Sequence, residues 1–129
     1  MRGDWREAAI TGDAASIAEL LQSGSDCNQR DRHGETALML AALAGRDEVV
    51  RLLVAHGADL NITAKYGLSA LMLAIINRHE KIARRLVDAG ADLSIRGGGP
   101  PGFAGKTACT LAEDCGLGDL AAHIREAEG

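Results

Sequence analysis

A pattern of glycine, alanine and aliphatic residues returning every 33 positions constrains this chain more than any other feature. Gly34 recurs as Gly67, Ala41 as Ala74, Val49 as Ile82 and Gly57 as Gly90. A fixed period of this length marks a stacked array, in which each unit is too small to bury its own apolar face. The stretch from Asp31 to Asn61, DRHGETALMLAALAGRDEVVRLLVAHGADLN, reads as a turn, a short helix, a break at Gly45, a second helix and a stop at Gly57. Upstream, Ala8, Gly12, Ile17, Leu20 and Gly24 precede Ala41, Gly45, Val50, Leu53 and Gly57 by the same step, so a first helix pair without a full leading turn is expected. Downstream, Gly67 is answered by Gly105, a shift of 38, with five extra residues within GGGPPGFAG. Ala74, Ile82 and Leu86 then return as Ala112, Leu120 and Ile124. The pattern predicts one domain over residues 1–129, with repeats at about 1–30, 31–63, 64–96 and 97–129.

Equivalent positions sort the core from the surface. Leu20, Leu53, Leu86 and Ile124 stay large and apolar and are expected to face inward; Ala8, Ala41, Ala74 and Ala112 stay small and let adjacent helices approach. Glu19, Leu52, Arg85 and His123 are polar in three of four, which predicts a solvent-facing position. Leu38, Ala41 and Ala42, like Val49, Leu52 and Leu53, have the i, i+3, i+4 spacing of one helical stripe. Helices of about ten residues do not stand alone, so stacking must supply the stability. Thr36, Ser69 and Thr107 precede the first helix, where a hydroxyl caps free N–H groups. Gly24, Gly57 and Gly90 follow the second helix as C-terminal stops. Asp26, Asp59 and Asp92 then begin an extended turn, in which Asn28, Asn61 and Ser94 hydrogen-bond the loop backbone. Glu7, Glu113 and Arg125 replace apolar residues in the outer repeats, as the wet ends of an array require. Trp5, in the position of Leu38 and Leu71, is expected to be the lid of the first repeat, with a binding role as the alternative.

Composition narrows the function. The chain is 47% hydrophobic but 2% aromatic, which fits closely packed short helices. Its 14 basic and 18 acidic residues are dispersed, for a net charge of −4, and a general nucleic-acid binder needs clustered cations instead. No apolar run approaches the roughly 20 residues needed to span a bilayer, and MRGDWREAA has no apolar signal region. Three cysteines fit a reducing compartment better than a disulfide scaffold. A cytoplasmic protein without membrane or nucleic-acid partners is the expectation.

GETALMLAALAGRDEVVRLLVAHGADLN and GLSALMLAIINRHEKIARRLVDAGADLS resemble ankyrin repeats over nearly the full chain. The turn glycine, the Thr/Ser-Ala-Leu, the Leu-Ala pair and the Gly-Ala-Asp ending match; the family's Thr-Pro-Leu-His appears as Thr36-Ala37-Leu38-Met39 and Ser69-Ala70-Leu71-Met72. The last copy, Thr107-Ala108-Cys109-Thr110, departs further. The resemblance implies an all-α solenoid of stacked antiparallel helix pairs joined by projecting β-turn or hairpin loops. It also implies non-enzymatic protein binding through a concave face and finger turns, as an adaptor, inhibitor or scaffold, without catalytic residues, metal or cofactor. By position, the implied contact residues are Arg32, His33, Glu35, Leu43 and Ala44, then Lys65, Tyr66, Leu68, Ile76 and Asn77, then Phe103, Lys106, Asp114 and Cys115. Ile10, Leu43 and Ile76 add a physical reason: an apolar strip at a position expected to be exposed, flanked by polar fingers, looks like an interface centre. The alternative is that these side chains only complete the stack; Tyr66 at a fingertip favours contact. A monomer is expected, with self-association through the strip as the alternative.

Other motifs weigh less. PPGFAGKT ends like a phosphate-binding loop, and a small nucleotide-binding protein or enzyme centred on Lys106 is the competing reading. Its first glycine position holds Pro100, which has no N–H to offer a phosphate, and the repeat pattern already explains Gly105 and Thr107. The segment GGGPPGF is either a neutral, mobile loop or a partner-contacting finger. His33, His56, His79 and His123 have no zinc-ligand spacing and read as surface residues. Cys27 and Cys109 occupy leucine positions and should be buried, whereas Cys115 lies at an exposed position.

Overall fold

The computed structural model describes residues 3–99 and 102–128, so Pro100 and Pro101 of the inserted segment lie outside the described residues. The helices come in four pairs: α1 (Gly3–Thr11) with α2 (Ala14–Gln22), α3 (Ala37–Ala44) with α4 (Asp47–Ala55), α5 (Ala70–Ile76) with α6 (Glu80–Asp88), and α7 (Ala108–Asp114) with α8 (Gly118–Glu128). Short links between partners force each pair to double back into an antiparallel hairpin. First helices stack in the order α1, α3, α5, α7, and second helices in the order α2, α4, α6, α8. The result is a two-layer all-α solenoid.

Local chemistry sets the boundaries. Thr36, Ser69 and Thr107 are extended N-caps whose hydroxyls accept from the amides of Met39, Met72 and Thr110. No strand is assigned among the described residues. Instead each finger is a β-turn, with Gly34, Gly67 and Lys106 N–H donating to the carbonyls of Asp31, Ala64 and Phe103. One further bond closes each base, from Asp31 to Glu35, Ala64 to Leu68 and Gly97 to Lys106. The third closure spans five more residues than the others, which places the insertion between Gly97 and Lys106.

The small position behaves as expected: Ala41, Ala74 and Ala112 are wholly buried between neighbouring first helices. Leu53, Leu86 and Ile124 are buried too, but Leu20 is only half-buried. No described helix covers the first repeat on that side, and Leu20 lines an open polar cleft with Glu7, Glu19 and Ser23. Trp5 is 1% exposed, which fits a lid packed into the core and leaves no ring surface for a partner. Its indole N–H has no hydrogen-bond partner among the described residues.

The expected solvent position holds for Glu19, which is exposed, and is corrected at Arg85 and His123. Arg85 reaches back from α6 to grip Asp47 of α4 with two bonds, 3.0 and 3.2 Å long, and His123 of α8 bonds Asp88 of α6 at 2.8 Å. A side chain there can span to the preceding second helix, so polar identity marked a bridge rather than free solvation. His79 is likewise no free surface residue. Its Nε2 donates to the Leu43 carbonyl at 3.2 Å, just as Arg46 Nε donates to the Ile10 carbonyl at 2.8 Å. Both side chains lie across the glycine of the preceding repeat. A Cβ on Gly45 would sit 2.7 Å from the His79 ring, and Gly45 also has a φ of +78°. Gly45 therefore serves the turn and the packing at once. At the equivalent turn of the third repeat Arg78 holds the same left-handed conformation, φ +62°, and its guanidinium bonds the Cys115 carbonyl at 2.6 Å.

Asparagines join the finger bases. Asn28 Oδ1 accepts from the Asp59 amide at 2.9 Å, and Asn61 Oδ1 from the Asp92 amide at 2.8 Å, each one repeat on. Asn61→Ala should cost about 1 kcal/mol, the net value of one hydrogen bond, as a lower urea midpoint with an unchanged slope. The Asp47–Arg85 pair predicts a pH dependence. The Arg85 hydrogen bond, aided by its charge and that of Lys81, outweighs burial and holds the Asp47 carboxyl below its ordinary value. Its stabilisation is complete above the unfolded-state carboxylate pKa and is lost as pH falls through the depressed folded value. Both side chains are about 30% exposed, so Arg85→Gln should cost no more than about 1 kcal/mol at neutral pH. In acid titrations of urea stability, that difference should close as the carboxylate protonates.

Candidate protein-binding surface

The fingers stand side by side because their backbones are tied together. An Arg30 guanidinium nitrogen donates to the Thr63 carbonyl of the second finger, while its Nε holds Gly34 O of its own at 3.1 Å. The Gly98 amide of the third finger donates to Tyr66 O of the second at 2.7 Å. Arg96 closes the third finger onto Gly105 O at 2.9 Å.

Each finger presents a different surface. In the first, Arg32 and His33 are exposed and Glu35 is half-buried. Asp31 beneath them accepts from the His33 and Glu35 amides and pairs with Arg6 of α1 at 2.5 Å. Burial pushes the Asp31 carboxyl up, but the two amide bonds and the nearby Arg6 and His33 charges overcome it and hold the pKa below the ordinary value. In the second, Lys65 is exposed over the Tyr66 ring, its Nζ 5.0 Å from the centroid. Tyr66 is half-buried in a left-handed conformation, φ +61°. In the third, Phe103 is half-buried against Tyr66, with centroids 5.7 Å apart and planes tilted by 50°. Gly98 and Phe103, on either side of the inserted prolines, thus meet the neighbouring finger. Gly97 is buried in that fold, where a Cβ would meet the Phe103 carbonyl at 2.6 Å.

Leu68 does not belong to the surface. It is 5% exposed and part of the core. Leu68 immediately precedes the Ser69 cap, a position from which apolar side chains commonly pack onto the first helical turn. Lys106 and Asp114 form a pair at 2.6 Å, so these two contact candidates are already engaged with each other.

On the first helices, Ile10 at 36% and Leu43 at 38% are the large hydrophobic residues that stand exposed among the described residues. Ile76 departs from the expected exposure: it is half-buried against the core, as α7 packs onto α5. Ala44 is half-buried, and Asn77 is exposed with its amide turned back to Leu73 O. The carbonyls of Ile10 and Leu43 are the acceptors of Arg46 and His79, so the strip is held from below while its side chains face outward. Arg46 and His79, which follow the turn residues Gly45 and Arg78, were legible only as turn neighbours; their place one repeat apart was the available signal.

The Gly105 and Lys106 amides, which a phosphate would need, already bond Gly97 O and Phe103 O, and Thr107 caps α7. Among the described residues no group of three or more His, Cys, Asp or Glu is placed to hold a metal ion. Burial, with Asp26 beside it, raises the Cys27 thiol; burial also raises Cys109 despite the nearby Arg125. Neither is poised as a thiolate nucleophile. Cys115 is half-buried rather than exposed, its thiol packed against the core. No described helix is long and apolar enough to cross a membrane.

The family model described as ankyrin repeats, in three copies, matches residues 6–96, more than half of the chain. No curated protein matches it. The matched stretch takes in most of α1, all of α2 to α6 and both of the first two fingers, whose turns, caps and stacking are those derived above. The chain belongs to the ankyrin repeat family.

Proposed function

We propose that this chain is a non-enzymatic interaction module, an adaptor or scaffold, that binds a partner protein across its finger tips and the exposed ends of its first helices. Ankyrin repeats are in general protein–protein interaction modules. The observation that carries the reading to this face is the pair Ile10 and Leu43, exposed on adjacent first helices beside a row of polar fingers. Apolar side chains ringed by polar ones are the anatomy of an interface centre and rim. Arg32, His33, Lys65 and Asn77 form the rim, and Tyr66 with Phe103 supplies a half-exposed aromatic ledge. The module works as a monomer. Three cysteines, an odd number and all free, support a reducing cytosol as its place of action.

Leu43→Asp tests the face without touching the core. Because Leu43 is exposed, the variant should keep the helical circular dichroism signal and lie within about 0.5 kcal/mol of the parent in urea. In quantitative pull-downs from source-cell lysate, a partner retained by the parent should be lost by at least about tenfold, the usual consequence of a charge placed in an interface centre. Retention of the same partner at parental levels would move the contact surface elsewhere. Sedimentation across a range of protein concentrations should give one monomeric species; concentration-dependent growth would mean self-association instead.

A further inference from the structure

The outer face of α1 and α2 is covered by no described helix. Leu20 is half-buried there, whereas its equivalents Leu53, Leu86 and Ile124 are fully buried, and it lines an open cleft of about 590 Å³. Glu7, Asp13 and Glu19 line the same cleft, with no Lys, Arg or His among the lining residues. Asp13 is engaged in capping α2, through the Ser16 amide at 3.1 Å and hydroxyl at 2.7 Å. The carboxylates of Glu7 and Glu19 meet no cation among the described residues. This polarity reverses that of the inner interfaces. Where one repeat packs on the preceding one, donors reach back: Arg46 and His79 to the carbonyls of Ile10 and Leu43, Arg85 and His123 to the carboxylates of Asp47 and Asp88. In the first repeat the place of Arg46 and His79 is taken by Asp13, and the place of Arg85 and His123 by Glu19. Glu7 stands where Leu40, Leu73 and Leu111 do. An end that only has to stay wet needs polar side chains, not carboxylates alone. At the far end, the replacements Glu113 and Arg125 pair with each other at 3.6 Å.

We infer that the outer face of α1 and α2 is a second docking surface, and that its occupant is a cationic amphipathic helix of a partner protein. Lysine or arginine side chains of that helix meet Glu7 and Glu19, and its apolar stripe covers Leu20. The donors that the first repeat lacks are then supplied by the partner. Charge complementarity decides between occupants. A second copy of this chain would offer its last pair, where Glu113, Asp119, Glu126 and Glu128 are exposed and the exposed cation, Arg125, already pairs with Glu113. Nucleic-acid phosphates are repelled by the same carboxylates that attract a basic helix. Together with the finger face, this surface lets one module hold two proteins.

The probe is a fluorescein-labelled helical peptide with lysines flanking a leucine stripe, titrated with the full chain by fluorescence anisotropy. Its counterpart carries glutamates in place of the lysines. The cationic peptide should bind and weaken steadily as salt rises, and the acidic one should not bind. Glu7→Gln/Glu19→Gln, both on exposed side chains, should weaken binding by at least about tenfold while keeping the helical circular dichroism signal. Glu126→Gln/Glu128→Gln removes the same charge from exposed positions of α8; this variant and Leu43→Asp should each stay within about twofold of the parent. No binding, equal losses in the two double variants, or loss on Leu43→Asp would overturn the inference. So would self-association in sedimentation that Glu7→Gln/Glu19→Gln removes, because the face would then belong to a second copy. The finger-face reading is judged separately, by its own Leu43→Asp pull-down.

Discussion

The contact between successive repeats is the constraint on which everything else in this chain depends. Its α-helices run from seven to eleven residues, too short to be stable alone. Their apolar faces are covered only by the next pair, with wholly buried alanines letting first helices approach closely. Polar bonds then fix the register. Asn28 and Asn61 hold the amides of Asp59 and Asp92, Arg46 and His79 hold the carbonyls of Ile10 and Leu43, and Arg85 and His123 hold Asp47 and Asp88. Every one of these joins a repeat to its neighbour. Several end on the loops and turns that bear the proposed binding surface, so the stacking that stabilises the fold also aligns the fingers.

Two departures from the regular pattern gather around the third repeat. Arg78 occupies the left-handed turn position held by Gly12, Gly45 and Gly116 in the other repeats. A side chain there costs on the order of 1 kcal/mol, and its bond to Cys115 O, toward the final pair, offsets part of that cost. Tyr66 is also left-handed, at a fingertip, where it receives Lys65, Phe103 and the Gly98 amide. Gly98 and Phe103 thus have a structural role as a brace for the middle finger. That brace gives an array poor in aromatic residues its one aromatic contact among the described residues.

Much of the fold was legible because helix caps, turns and small buried positions recur at a strict step. Thr36, Ser69 and Thr107, the positive-φ Gly45 and the buried Ala41 follow from single positions and their equivalents. The surface was less legible, because it depends on reach between repeats. Arg85 and His123 read as solvated until their partners on the preceding helix were in place. Leu68 aligns with Glu35 and Lys106 and so looked like a finger residue, yet an apolar side chain beside an N-cap has a core within reach and takes it. Tyr66 and Phe103 were both assigned to fingertips, but no spacing rule showed that the insertion would bring their rings together.

Native-state hydrogen exchange on the amides of Asp59, Asp92 and Gly98 tests most directly whether the fingers form one preset surface. Each of these N–H groups bonds to a neighbouring repeat, at 2.9, 2.8 and 2.7 Å. The stacked account predicts that they exchange as slowly as the adjoining helices, and that a denaturant series merges them into the same cooperative opening. Exchange at the rate of an unstructured chain, with the helices still protected, would contradict it, because the fingers would then be loose appendages rather than a surface the stack has built.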